Sequence, residues 1–212
     1  MLVDKEILSE ILVYTAELWK KNSASLGEID ARFGDGDHGI TIGKIAGVFE
    51  ECVKNWKNES IKETIKTLGD KILAINGGSA GPLYGTLIGG LAEPLSDEKV
   101  IDGAMLKKML RSSCDEISAL TKARVGDKTM MDALIPAVEA ALSTPGDYIP
   151  DILDAAEKAA ARGAEYTGSI ASKFGRARSY GDKTIGTPDA GAVSTSLLFQ
   201  GFSEGIGESM KL

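Results

Sequence analysis

Histidine occurs once in this 212-residue chain, cysteine twice and proline six times. Any histidine chemistry must therefore use His38. The two cysteines, Cys52 and Cys114, fall on predicted helices and read as reduced core thiols of a cytoplasmic protein. No staple is needed, because a chain of this length buries roughly 70% of its unfolded surface. Basic residues are also in the minority, 24 Lys and Arg against 31 Asp and Glu for a net charge of −7, which excludes a basic nucleic-acid footprint. No apolar run approaches the ~18 residues of a membrane span, and Met1-Leu2-Val3-Asp4-Lys5-Glu6 lacks the basic-then-apolar order of a signal peptide. Alternating β-branched runs, internal repeats and linker-like composition shifts are missing too. What the chain has in excess is glycine, 25 residues, about 12% against a usual ~7%.

The remaining pattern is helical. Ile7, Leu8, Ile11, Leu12, Leu18 and Trp19 mark a first helix capped by Asp4. Ile42, Ile45, Phe49, Cys52 and Trp56 form one apolar stripe of a second. Ser60 and Glu63 make a capping box for a third. A fourth is predicted from Pro82, a fifth after Asp102, and a sixth after Thr129. Pro136 should kink the sixth or mark its true start. A seventh covers about Pro150 to Ala164 and an eighth about Ala192 to Ile206. The expectation is a single all-α domain over 1–212. Glycines cluster at 34–43, 77–90, around 126 and at 175–191, mostly just before a helix start. Glycine there lets backbone approach a ligand, and helix N-termini offer free N–H groups to phosphate. Four such loops at one end of a bundle would form an anion pocket.

Residues 28–39 carry the densest signal. Gly34, Gly36 and Gly39 spell a formal GxGxxG, yet no strand precedes them and two aspartates would face a pyrophosphate. Like charges about 4 Å apart cost roughly 4 kcal/mol at an effective dielectric near 20. A Walker A loop fails because Gly43-Lys44 is followed by Ile45. An EF-hand fails because Ile40 and Ala46 occupy the positions of its glycine and bidentate glutamate. Two readings remain: a solvated Asp-Gly turn, or a hard-cation site in which Asp30, Asp35 and Asp37 lie on one loop. Two magnesium ions there would invert the local charge and admit a di- or triphosphate. Elsewhere, Gly77 to Pro82 could cradle phosphate or simply join two helices. Lys128 with Thr129 and Arg176 with Arg178 place cations beside glycine loops, and arginine suits bidentate phosphate contact.

Five ordered blocks then resemble one family, the nucleotide-binding L subunit of dihydroxyacetone kinase. They are GDGDHG at 34–39, GGSAGPLYG at 77–85, GDKTMMDAL at 126–134, GRA at 175–177 and TIGTPDAGA at 184–192, within a similarity running from about residue 4 to 206. The resemblance implies an eight-helix up-and-down barrel with a nucleotide pocket at one end. It implies two Mg²⁺ ions on Asp30, Asp35 and Asp37. It assigns ADP or ATP contacts to His38, Gly39, Ile40 and Thr41, to Ser79 and Ala80, and to Met130, Arg176, Asp189 and Gly191. Thr121 and Ala190 stand where relatives usually have glycine and proline, and are carried as contacts of the same site. Ser79-Ala80 and Arg178-Ser179-Tyr180 also depart from the family pattern.

The resemblance further implies a phosphotransferase that works only with a separate K subunit, which holds dihydroxyacetone. Arg176 and Lys128 would stabilise the transferring group. In the free-standing bacterial form, bound ADP is recharged by a phosphohistidine protein (M type) of the sugar phosphotransferase system. The alternatives are an ATP-exchanging subunit for another short sugar such as a tetrose, a nucleotide-sensing regulatory subunit, and a metal-dependent phosphohydrolase. Neither nucleic acid nor membrane is expected as a partner, and a homodimer stays open.

Overall fold

Asp4 opens the first helix by accepting the Ile7 N–H at 2.9 Å, and α1 then runs unbroken over Lys5–Asp30. The computed structural model of the chain describes residues 1–209; the last positions of the expected domain 1–212 lie outside the described residues. Among the described residues α2 spans His38–Asn55, α3 Ile61–Leu73, α4 Ala80–Gly90, α5 Gly103–Leu120, α6 Met131–Ser143, α7 Ile149–Tyr166 and α8 Ala190–Ser209. Short 3-10 segments cover Thr167–Ser169 and Arg176–Thr184.

The capping residues explain most of these starts. Ser60 and Glu63 form both halves of the capping box on α3, and Asp102 accepts the Met105 N–H at 2.7 Å at the head of α5. Helix α4 begins at Ala80, ahead of the expected Pro82, and Pro82 sits in the first turn, where its missing N–H is harmless. Pro136 lies inside α6, which starts at Met131. A proline leaves the carbonyl four residues back without its helical partner, here Asp132. Gly163 of α7 packs against that carbonyl so closely that a Cβ would stand 2.0 Å from the oxygen.

Helices adjacent in sequence pack side by side, and α8 closes the ring against both α7 and α1. Trp19, Phe49, Tyr84 and Phe199 fill the interior at 2% exposure or less. Trp19 meets Phe49 and Tyr84 edge-on, at 5.2 and 5.5 Å between ring centroids. The result is the expected all-α barrel of eight α-helices with up-and-down connectivity. Val3 and Ile101 exchange backbone hydrogen bonds of 2.8 and 2.7 Å, an isolated bridge that ties the N-terminus to the α4–α5 connection.

With alternating helix directions, the starts of α2, α4, α6 and α8 share one end. Those starts carry the four glycine clusters, and residues from all four line one cavity. Among the described residues no helix is long and apolar enough to cross a membrane.

Candidate functional site

The cavity at that end holds about 670 Å³, within the range of roughly 300–1,000 Å³ for small-molecule sites. Its acidic edge is built by the exit from α1. Asp30 is the last residue of that helix rather than a loop residue as expected, and its backbone carbonyl accepts the Phe33 and Gly34 N–H groups. Its side-chain Oδ2 accepts the Gly36 N–H at 2.9 Å. Gly36 turns the chain there with φ +77°, which glycine adopts without strain. The turn returns Asp35 and Asp37 to Asp30, so that one oxygen of each carboxylate lies within 4.8 Å of the others.

Asp37 is also the N-cap position of α2, yet its carboxylate caps nothing. Ser79 stands at the same position of α4 and likewise makes no capping bond. The first N–H groups of both helices lack helical acceptors, and Gly78 lies beside the Asp37 carboxylate, with its missing Cβ position 3.7 Å from Oδ2. Two free helix starts therefore flank three carboxylates. Carboxylates at this spacing suit a hard cation, and the N–H groups suit the anion such a cation brings.

The contacts expected around this edge divide by kind. His38, Ser79 and Ala80 line the cavity, whereas Gly39, Ile40 and Thr41 do not. Gly39 is where α2 crosses α1: a Cβ there would meet Ser23 O at 1.9 Å and Gly27 N at 2.7 Å. Ile40 is 64% exposed, and Thr41 is buried. What this turn can offer a ligand is backbone, with Thr41 N already bonded to Asp37 O at 3.0 Å. The His38 ring instead points into a polar chain, His38 Nε2 to Ser194 Oγ at 2.8 Å and Ser194 Oγ to Tyr84 Oη at 2.7 Å. Burial pushes the imidazole below its ordinary pKa, against the pull of the Asp30 charge and a hydrogen bond to the Ala190 backbone. Burial likewise drives the Tyr84 phenol upward.

The opposite wall comes from α5, α6 and α8. Thr121 ends α5, with its Oγ1 accepting the Ala123 N–H at 3.2 Å. Met130, Ala190 and Gly191 line the same wall as Leu120 and Phe174. The turn before α6 is held by Asp132, a fully buried carboxylate that accepts from Gly126 N at 2.6 Å and Thr129 N at 2.8 Å. Asp189 heads α8 and accepts the Ala192 N–H at 2.8 Å, while its own N–H donates to Thr167 Oγ1. Burial raises the Asp189 pKa to about 7. The Ala192 N–H opposes that rise and the Asp132 charge adds to it.

The two basic residues expected to touch the transferring phosphate sit very differently. Arg176 opens the 3-10 segment at the cavity rim and pairs through Nη1 with Asp35 Oδ2, both side chains largely exposed. Lys128 corrects its expectation. It is 4% exposed, and its ammonium is committed to four carbonyls, those of Thr167, Ile170, Thr184 and Thr187, at 2.6 to 3.0 Å. An ammonium has three protons, so none is left for a phosphate oxygen. Sequence reasoning missed Asp132, Ser194, Tyr84 and the tilted ring contact of Phe33 with Tyr180, 5.2 Å between centroids. Asp132 and Tyr84 lie inside the quoted blocks: Asp132 bonds within its own block, to Gly126 and Thr129, while Tyr84 reaches Ser194 and Thr195 across the fold, which no local spacing reveals.

Residues 32–204 match the family model described as the DAK2 domain. The L-erythrulose kinase of Pectobacterium atrosepticum is 33% identical over 187 residues, 86% of this chain but 32% of that protein, so the chain spans about a third of its length. The PEP-dependent dihydroxyacetone kinase 1, ADP-binding subunit DhaL, of Listeria innocua is 30% identical over 199 residues, covering 94% of this chain and 96% of that one. The dihydroxyacetone kinase from C. freundii, solved in complex with AMP-PNP and Mg²⁺, superposes with a TM-score of 0.73 at 25% identity over 92% of this chain and 33% of that one. The family model covers most of the chain, and a 30% identical relative is covered almost end to end: this chain belongs to the DAK2 domain family.

Proposed function

We propose that this chain is the ADP/ATP- and magnesium-binding subunit of a two-component cytoplasmic kinase. It transfers a phosphoryl group from its bound nucleotide to dihydroxyacetone held on a separate K subunit. Bound ADP is then recharged by a phosphohistidine protein of the phosphotransferase system. The observation that carries the reading is the set of three carboxylates within 4.8 Å, placed between two uncapped helix starts. Asp30, Asp35 and Asp37 would hold two Mg²⁺ ions, which when bound neutralise phosphate charge. The residues fit that load, because the Asp37 carboxylate caps no helix, Asp35 meets an exposed Arg176 guanidinium, and Asp30 is oriented by the Gly36 N–H.

The chain's own groups supply positioning and electrostatics, which is most of what phosphoryl transfer asks of a protein. Backbone N–H groups at the starts of α2 and α4, with the Ser79 hydroxyl, receive phosphate oxygens. Met130, Leu120 and Phe174 offer an apolar wall to a flat base. Arg176, already at the rim beside Asp35, reaches the group in transit. His38, in the cavity lining, holds Ser194, which in turn holds the Tyr84 hydroxyl.

Nucleotide extracted from freshly purified protein and identified by mass tests the reading, followed by transfer assays with a K subunit. Retained ADP and activity driven by a phosphorylated carrier support it. Rapid loss of nucleotide on desalting, with activity on free ATP, favours instead an exchanging subunit for a short sugar. The 33% identity to an L-erythrulose kinase speaks for that second reading. Phosphate release without any partner would make the protein a phosphohydrolase, and binding without transfer would make it a sensor.

A further inference from the structure

Lys128 is the one non-glycine residue with positive φ among the described residues, at +59°, and it spends that conformation on burying its side chain. Its Nζ lies 2.7 Å from Thr167 O, 3.0 Å from Ile170 O, 2.8 Å from Thr184 O and 2.6 Å from Thr187 O. Thr167 and Ile170 follow the end of α7, and Thr184 and Thr187 lead into α8. The chain between them, 171–183, is the excursion that carries Arg176 to Asp35. Lys128 thus ties both feet of that excursion to the turn before α6, which Asp132 holds.

We propose that Lys128 is a positioning residue. Its ammonium fills a cation cage of four main-chain carbonyls, and the filled cage sets Arg176 over the phosphates. The proposal rests on the kinase reading for its activity readout only. Neutral carbonyls converging on one point also suit a free monovalent cation, so the cage should accept ammonium when the lysine stem is removed.

The test is Lys128→Gly, since glycine keeps the positive φ without strain. Transfer with the K subunit is measured against ammonium chloride, with tetramethylammonium chloride at equal ionic strength as control. The turnover number should fall by about 10- to 100-fold, as displaced positioning groups do, while the KM for magnesium nucleotide stays within about threefold. Ammonium should restore most of the loss and tetramethylammonium none. Unchanged turnover, or a loss that ammonium does not repair in a protein that still binds nucleotide, overturns the proposal. Should the variant fail to fold, wild-type protein labelled with ¹⁵N-lysine decides. A slowly exchanging ammonium signal with contacts to Thr184 and Thr187 at neutral pH supports the cage, and its absence overturns it. That signal needs no activity, so a wild type that shows it but transfers no phosphate refutes the kinase reading alone.

Discussion

Oxygen atoms converge on both sides of the cavity, and the chain treats them in opposite ways. At the rim, Asp30, Asp35 and Asp37 bring charged oxygens within 4.8 Å on a glycine turn and leave them partly open to solvent, with the exposed Arg176 guanidinium beside them. Across the cavity, four neutral carbonyls close on the buried ammonium of Lys128. An exposed ion pair contributes only about 0–1 kcal/mol, so the rim can exchange its counter-charge cheaply. A buried carbonyl left unpaired costs about 1–3 kcal/mol, so the far wall keeps its cation on a covalent tether. Exchangeable cations belong to the first arrangement and permanent ones to the second.

The largest expected break in this contrast is Asp35→Asn. Losing one carboxylate from the rim should lower phosphoryl transfer by about 10³-fold, near 4 kcal/mol of transition-state stabilisation. The folded protein without ligand should barely notice, because only an exposed pair is lost. Single-turnover transfer with a K subunit over a magnesium titration reads this out. A rate near wild type would remove the metal assignment.

Next in size is Gly39→Ala, which separates the two meanings of a glycine in the turn. The added methyl would meet backbone atoms of α1, Ser23 O and Gly27 N, which cannot rotate away. The α1–α2 crossing must open, at about 2–3 kcal/mol of stability. Urea unfolding should show a lower midpoint with an unchanged slope. Full stability with lost nucleotide binding would instead make Gly39 a ligand contact.

How far the sequence reaches is visible in the same two regions. Helix number followed from apolar spacing and from caps such as Asp4, Ser60 and Asp102, because these are contacts within a few residues, whereas the up-and-down barrel was implied by the family resemblance. The rim was legible for the same reason: Asp30, Asp35 and Asp37 lie within eight residues of the chain. The far wall was not. Lys128 reads as a free cation at a helix start until Thr167 and Thr187, distant in the chain, are seen folded around it. The Arg176–Thr184 3-10 segment was expected as a glycine loop, since it has no apolar period to announce it. Asp30 was placed on a loop because glycines follow it, yet the helix persists up to it.

Arg176→Gln sharpens the contrast at smaller scale. Removing the rim cation should slow transfer by about tenfold, near 1.4 kcal/mol, by taking a charge from the transferring group. Unfolding free energy should change by less than about 0.5 kcal/mol, as for exposed pairs generally. A stability loss larger than the activity loss would make Arg176 a structural latch.

The smallest effect is at Asp189, which stands between the two regions and feels both, raised by the Asp30 charge and lowered by the Lys128 ammonium. Burial dominates and lifts its pKa to about 7 from 3.8. The folded state therefore holds a proton that the unfolded chain releases between those values. Stability from this group is complete below pH 3.8 and is lost as pH rises through about 7. Asp189→Asn keeps an oxygen to accept the Ala192 N–H but cannot titrate. Melting of the two proteins, free of metal and nucleotide, should diverge from pH 5 to about 7 and level off above it. The variant should gain about 1 kcal/mol on wild type, well below the limit for a fully buried group because Asp189 is only partly buried. A level difference across that range would mean an ionised Asp189 throughout, with the lysine rather than burial in control of the wall.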